Sequence, residues 1–215
     1  MVVAIVGGHG QIALELTRLL ALDGTEVRSL IRNPAHSGDV TEVGGSPILV
    51  DFESAADQEI DAAIAGSDVV VFAAGAGPGS GAERKESVDY GAAVRLIEAA
   101  RRGDSPRYLM VSAVSADPDH PGEEVYDVYL RAKGRADGAV ADSGLDHLII
   151  RPVSLTNEPA AGLVSLVREA GRLESGVVPR ADVAAVLAEA ISDHPEASGT
   201  WYLSSGEGPV SRAFA

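Results

Sequence analysis

Six short β-branched and apolar runs, at 2–6, 26–31, 47–50, 69–73, 107–111 and 147–150, alternate along this chain with longer stretches of helical character. Strands with so little polar alternation must be covered on both faces, and that is the condition of a parallel sheet with helices on either side. The pattern therefore predicts an α/β fold, a doubly wound parallel sheet. Its helices are expected at 11–22, 57–65, 83–102, 125–142 and 181–192. Gly24, Gly103 and Gly144 stand just beyond three of them, as stop signals should. A last apolar run at 200–203 reads as an additional edge strand. A chain of 215 residues suits a single domain of this class, taken here as 1–215. Two segments, 117–124 and 155–179, carry no clear periodicity and follow strands. Ligands in open α/β sheets bind beyond the carboxyl ends of the strands, so a small substrate-side segment is expected at about 155–180.

The first chemical signal is AIVGGHGQIALEL, which begins inside the first strand. Gly7 and Gly10 lie three apart directly after that strand, and Ala13 follows three later as a helix begins. Gly7 suits the tight turn, Gly10 lets a backbone approach a pyrophosphate, and a small residue at Ala13 lets the helix pack close to the strand. The first helical amides, at Gln11 and Ile12, would then face the phosphates at the positive end of the helix. His9 is read as a loop residue without a catalytic role.

The second strand ends in EVRSLIRNP, with no acid until Asp39. An Asp or Glu at that place bonds a ribose 2′-hydroxyl, whereas an arginine accommodates a 2′-phosphate. Arg32 and Asn33 thus favour NADP(H), with NAD(H) the alternative. Asp51 and Phe52 after the third strand are candidates to border the adenine. Ala74 and Gly75, in FAAGAGPGSG after the fourth, are candidates for close approach to the cofactor; the same glycines also suit a flexible loop.

Composition removes several classes of function. Lys+Arg number 17 against 32 Asp+Glu, a formal net charge of −15, which opposes nucleic acid and anionic membrane surfaces. With no cysteine there is no disulfide, thiol nucleophile or cysteine-ligated zinc, and the five histidines show no metal-ligand spacing. The opening MVVAIVGGHG lacks a basic leader and reads as a strand rather than a signal peptide, and no apolar run reaches membrane-spanning length. The expected partner is a small-molecule substrate, the expected compartment the cytoplasm, and the expected state a monomer or small homo-oligomer.

Tyr129 and Lys133 stand four apart on the predicted helix 125–142, hence on one face. The spacing alone also suits two polar residues on a wet helix surface. Taken with VGGHGQIA, LIRNP, VVFAAGAGPGSG, YLMVSAVSAD, RPVSLT and VPRADVAAVLAEAI, however, the segment YLRAK resembles the short-chain dehydrogenase/reductase superfamily, and within it the small atypical NAD(P)-binding branch. The resemblance covers nearly the whole chain. It implies a Rossmann-like NAD(P)-binding fold, a nicotinamide cofactor and a Ser/Tyr/Lys active site. Tyr129 and Lys133 fall on the tyrosine and lysine, with Tyr126 one turn earlier as a substitute. The serine should come from the end of the fifth strand, where relatives often show two adjacent serines; this chain has Ser112-Ala113-Val114-Ser115, leaving Ser112 or Ser115. Asp89 lies where many relatives have an asparagine, and no role is carried onto it.

The chemistry explains the residue types. A phenol titrates near 10, so a neighbouring ammonium and an oxidised nicotinamide are expected to lower it toward neutrality. Lys133 would also hold the nicotinamide ribose. The implied activity is an NADP(H)-dependent oxidoreductase acting on a small carbonyl or related acceptor. Alternatives are a cofactor-sensing regulator without turnover, or an NAD(P)-dependent epimerase or dehydratase.

Overall fold

In the computed structural model, residues 1–77, 79–103, 106–173 and 176–215 are described. Among them the strands are β1 (Val2–Val6), β2 (Glu26–Ile31), β3 (Ser46–Leu49), β4 (Val69–Phe72), β5 (Arg107–Val111), β6 (His147–Pro152), β7 (Ser154–Thr156), β8 (Leu163–Val167), β9 (Val177–Pro179), β10 (Gly199–Ser205) and β11 (Gly208–Pro209). Nine of them form one sheet in the order β11-β8-β10-β6-β5-β4-β1-β2-β3, and β7 and β9 pair as a separate ribbon. From β3 across to β10 every pairing is parallel, and β8 then runs antiparallel to β10. The order 3-2-1-4-5-6 is that of a dinucleotide-binding sheet, and it reverses direction between β1 and β4.

Helices α1 (Gln11–Leu22), α2 (Ser37–Glu42), α3 (Asp57–Ile64), α4 (Ala82–Arg84), α5 (Ala93–Arg102), α6 (Val125–Ala141) and α7 (Arg180–Ser192) cover the sheet. The two-residue period of the strands divides the core. Val3 and Ile5 of β1, Val69 and Val71 of β4, and Leu109 of β5 face one side with Leu16 and Leu20 of α1 and Val183 and Leu187 of α7. Ala4 and Val6, Val70 and Phe72, and Tyr108 and Met110 face the other, with Ile60 of α3, Leu96 of α5 and Val140 of α6. Each fully buried aliphatic side chain of this kind contributes about 1.5–3 kcal/mol.

Three sequence expectations are corrected. The run 200–203 is interior rather than an edge: it lies within β10, between β6 and β8. The segment 155–179 is not irregular, since it holds β8, β9 and part of β7. Its strands are three to five residues long and separated by Pro- and Gly-containing turns, and too few residues share a face to give a periodic signal. The expected helix 83–102 is interrupted by a π-helix, Lys85–Ala92, between α4 and α5. A π segment changes which residues face the core without changing the composition that marks a helix. Among the described residues, no helix is long and apolar enough to cross a membrane.

The loop after β5 is seated on α6 by a glycine. A Cβ on Gly134 would lie 2.3 Å from the Asp117 carbonyl carbon and the Pro118 nitrogen. Asp117 N–H meanwhile donates to the Leu130 carbonyl at 3.2 Å. This contact holds the face of α6 that carries Tyr129 and Lys133 against the ends of the strands.

Candidate active site

The turn between β1 and α1 is built as the glycines require. Gly7 adopts φ +80°, and a Cβ there would strike the Ala74 backbone at 2.6 Å, so the loops after β1 and β4 touch at the point where strand order reverses. Gly8, which the spacing argument passed over, is equally constrained: its Cβ would meet Ser29 at 2.6 Å, and its N–H donates to Leu30 O at 3.0 Å. Gly10 donates to Gly7 O at 2.8 Å and is the N-cap of α1, without a side-chain cap and with no acid in the first helical turn. The amides of Gln11 and Ile12 are therefore left for an anion, and Ala13 is buried behind them against the sheet.

A cleft of about 270 Å³ opens from this turn, lined by Gly7, Gly10, Arg32, Asp51, Phe52, Ala74 and Gly75 among others. Asn33 stands just outside, capping a short 3₁₀ turn through Ala35 N–H at 3.0 Å. Asp51 is turned inward on its own loop, accepting from Glu53 N–H at 3.0 Å, and the Phe52 ring packs into the core at the cleft wall. These residues fit a dinucleotide: a cradle in which side chains are sterically excluded, an uncapped helix terminus for its pyrophosphate, and an apolar floor.

Tertiary contacts add groups that no local pattern announced. The missing acid at the end of β2 is supplied from beyond β3, for Arg32 lies 3.2 Å from Glu53, which Arg84 also grips at 2.7 Å and Ser87 at 2.6 Å. His36 lines the cleft as well, its ring stacked on His9 with centroids 3.6 Å apart, and His9 reaches Asp39 at 2.7 Å.

At the other end stand the α6 residues. Lys133 is buried, its Nζ donating to Val111 O at 3.0 Å and Ala74 O at 3.5 Å and lying 3.7 Å from Asp89 Oδ1. Burial lowers its proton affinity, and Asp89 opposes that. Asp89 comes from the π-helix; its Oδ2 accepts from Ala76 N–H at 3.2 Å, while Oδ1 accepts no hydrogen bond. The Tyr129 ring stacks on Tyr126, centroids 5.8 Å apart, and its hydroxyl has no hydrogen-bond partner among the described residues. In the chain itself burial, then Asp89, Tyr126 and Asp137, push this phenol well above the usual tyrosine range.

Ser112 is buried beside these groups, but its hydroxyl donates to Asp137 Oδ2 at 2.8 Å, and the same oxygen takes Arg151 at 2.8 Å. Burial raises Asp137, and the Arg151 guanidinium restrains the rise. Ser115 is exposed on the loop, and Ala113 brings no hydroxyl. Among the described residues no cluster of three or more His, Asp or Glu is placed to hold a metal.

Comparison with known proteins agrees with this geometry. A family model described as NAD(P)H-binding matches residues 7–194. An uncharacterized sugar epimerase, YhfK, of Bacillus subtilis (strain 168) is 32% identical over 215 residues, covering 100% of this chain and 99% of that protein. A solved Bacillus halodurans structure, named for the NAD-dependent epimerases/dehydratases, superposes with a TM-score of 0.88 at 32% identity, covering 99% of this chain and 97% of the other. The oxidoreductase ylbE from Lactococcus lactis shares the fold, with a TM-score of 0.83 at 23% identity over 99% and 94% of the two chains. With the match running from the glycine turn through α7, the chain belongs to the NAD(P)H-binding family.

Proposed function

We propose that the protein reduces a small carbonyl compound with NADPH, Tyr129 giving the proton and Lys133 holding the nicotinamide ribose. The observation that carries this reading is a phenol whose hydroxyl has no hydrogen-bond partner among the described residues, on the same helix face as an ammonium buried against the ends of β4 and β5. The bound cofactor supplies the hydride for the carbonyl carbon. Tyr129 transfers its phenolic proton to the carbonyl oxygen, which completes the alcohol, and regains a proton from solvent. Lys133, one turn away, has the sign of charge that offsets the phenolate as it forms. Ser112, committed to Asp137, acts by fixing the α6 face rather than by donating to substrate.

Preference for NADPH over NADH is supported by the cleft rim. Arg32 and Arg84 share the single Glu53 carboxylate, which leaves positive charge for a 2′-phosphate. An epimerase cycle that returns its cofactor is the second reading, favoured by the name of the Bacillus subtilis relative. A sensor without turnover is the third, favoured by the serine hydroxyl turned to Asp137.

NADPH oxidation with a panel of aldehydes, ketones and 2-oxo acids separates the three. Stoichiometric consumption is expected, with Tyr129→Phe cutting turnover by about 100-fold or more while NADPH binding stays nearly intact. Product without net consumption identifies the epimerase. Tight NADPH binding with no turnover of any compound identifies the sensor.

A further inference from the structure

Of the 17 lysines and arginines in this chain, Lys85 and Lys133 are the only lysines. The fold brings both to Tyr129. Lys85 opens the π-helix, and its Nζ lies 5.3 Å from the Tyr129 ring centroid, donating to Gly77 O at 2.9 Å in the glycine-rich loop after β4. Among the described residues no carboxylate lies within ion-pair distance of it, although acids outnumber bases almost two to one along the chain. Its neighbours behave differently: Arg84 is paired with Glu53, and Glu86 with Arg135. Lys85 thus has no carboxylate partner among the described residues of a protein whose net charge is −15, and it lies against the Tyr129 ring.

The residue type fits that position. A guanidinium is a rigid planar fork suited to permanent pairing, whereas an ammonium on a flexible stem is a point charge that exchanges partners readily. A backbone carbonyl is a weak partner for it, easily displaced by an anion. Tyr126, stacked on Tyr129 and 63% exposed, forms an open aromatic wall beside the same space. Ser112 donates to Asp137, and the cation among the remaining donors beside the Tyr129 ring is Lys85.

We propose that Lys85 anchors an anionic group of the substrate: the compound that Tyr129 protonates carries a carboxylate or phosphate, which takes the Lys85 ammonium in place of the Gly77 carbonyl. This rests on the reductase reading, and the test keeps the two apart. Phenylglyoxylate and its methyl ester form a matched pair, alike in ring and ketone and differing in charge. The wild type is expected to favour the acid, and Lys85→Gln to lower the acid-over-ester ratio of kcat/KM by about 30-fold, through KM, with Lys85→Arg recovering part of it. Preference for the ester, or an unchanged ratio in Lys85→Gln, overturns the proposal. A Lys85→Gln protein whose NADPH affinity falls as far as its affinity for the acid also overturns it, since the lysine then serves the cofactor. If neither compound is reduced, the reductase reading fails on this pair, and the anchor is judged by binding instead. Titration of the NADP⁺ complex with the two compounds should show the acid binding more tightly in the wild type and losing that advantage in Lys85→Gln. Equal binding of acid and ester in the wild type rejects the anchor.

Discussion

The Tyr129 hydroxyl has no hydrogen-bond partner among the described residues, in a surrounding that disfavours its anion. A raised phenol stays protonated through neutrality and into the alkaline range, so its capacity to donate is present below its pKa and lost only as pH rises through it. Ultraviolet titration of the wild type against Tyr129→Phe should therefore remove an ionisation lying above the ordinary tyrosine value of about 10. Loss of one at or below that value would contradict the burial argument. Arg32 makes the second case at this scale. It is more than half exposed and shares Glu53 with Arg84, so the side chain is free to turn to a phosphate. Arg32→Ala should weaken NADPH by about ten-fold or more while leaving NADH nearly unaffected, as isothermal titration of both cofactors would read. A larger effect on NADH would assign the arginine to the ribose instead.

The β1–α1 turn shows how neighbouring glycines serve different ends. A side chain on Gly8 collides with the backbone of β2 at 2.8 Å and has nowhere to move, so Gly8→Ala should cost stability whether or not a ligand is present. A side chain on Gly10 meets only Gly7 O at 3.1 Å and Ala73 O at 3.8 Å, at the lip of the cleft. Gly10→Val should accordingly lose far more NADPH affinity than thermal stability, and parallel losses in both variants would refute the division. At the same scale, the π-helix brings Asp89 to Lys133 and Lys85 over the Tyr129 ring. The sequence run 83–102 reads as plain helix because helical composition is blind to a shift of one residue in hydrogen-bond register.

For the whole molecule, the cleft lies at the reversal of strand order, where the loops after β1 and β4 meet. A ligand bound there bridges both halves of the sheet and binds only the folded chain. At 100 times its Kd, NADPH should add about 2.7 kcal/mol of stability, and for a protein of this size raise Tm by roughly 5–10 °C. Differential scanning calorimetry with and without the cofactor checks this, and an unchanged Tm at millimolar NADPH would deny the cleft its ligand. The net charge of −15 sets the background against which any anion must bind, so the local donors, the α1 amides and the Arg32–Arg84 pair, carry the attraction.

How far the site could be read in advance depends on the distance over which each feature is encoded. β1, β2 and β5 and α1 stand at the bounds expected from their apolar runs, because strand period, helix period and glycine placement are properties of a few adjacent residues. The glycine turn and the Tyr129–Lys133 face were legible for the same reason. What each side chain faces was not. Glu53 reaching Arg32, Asp137 accepting from the Ser112 hydroxyl and Asp89 meeting Lys133 join residues far apart in sequence, the first because β2 and β3 lie side by side, the others because α6 and the π-helix pack over the ends of β4 and β5. The short β8 was invisible until β10 offered it an antiparallel partner, since a strand of five residues between turns has no stable pattern of its own. The sequence by itself determined the order of elements and the backbone of the phosphate turn, which depend on local conformational preference. The burial of Tyr129 and the pairing of the charges around it were decided by tertiary packing, because burial and Coulomb interaction act through space, without regard to separation along the chain.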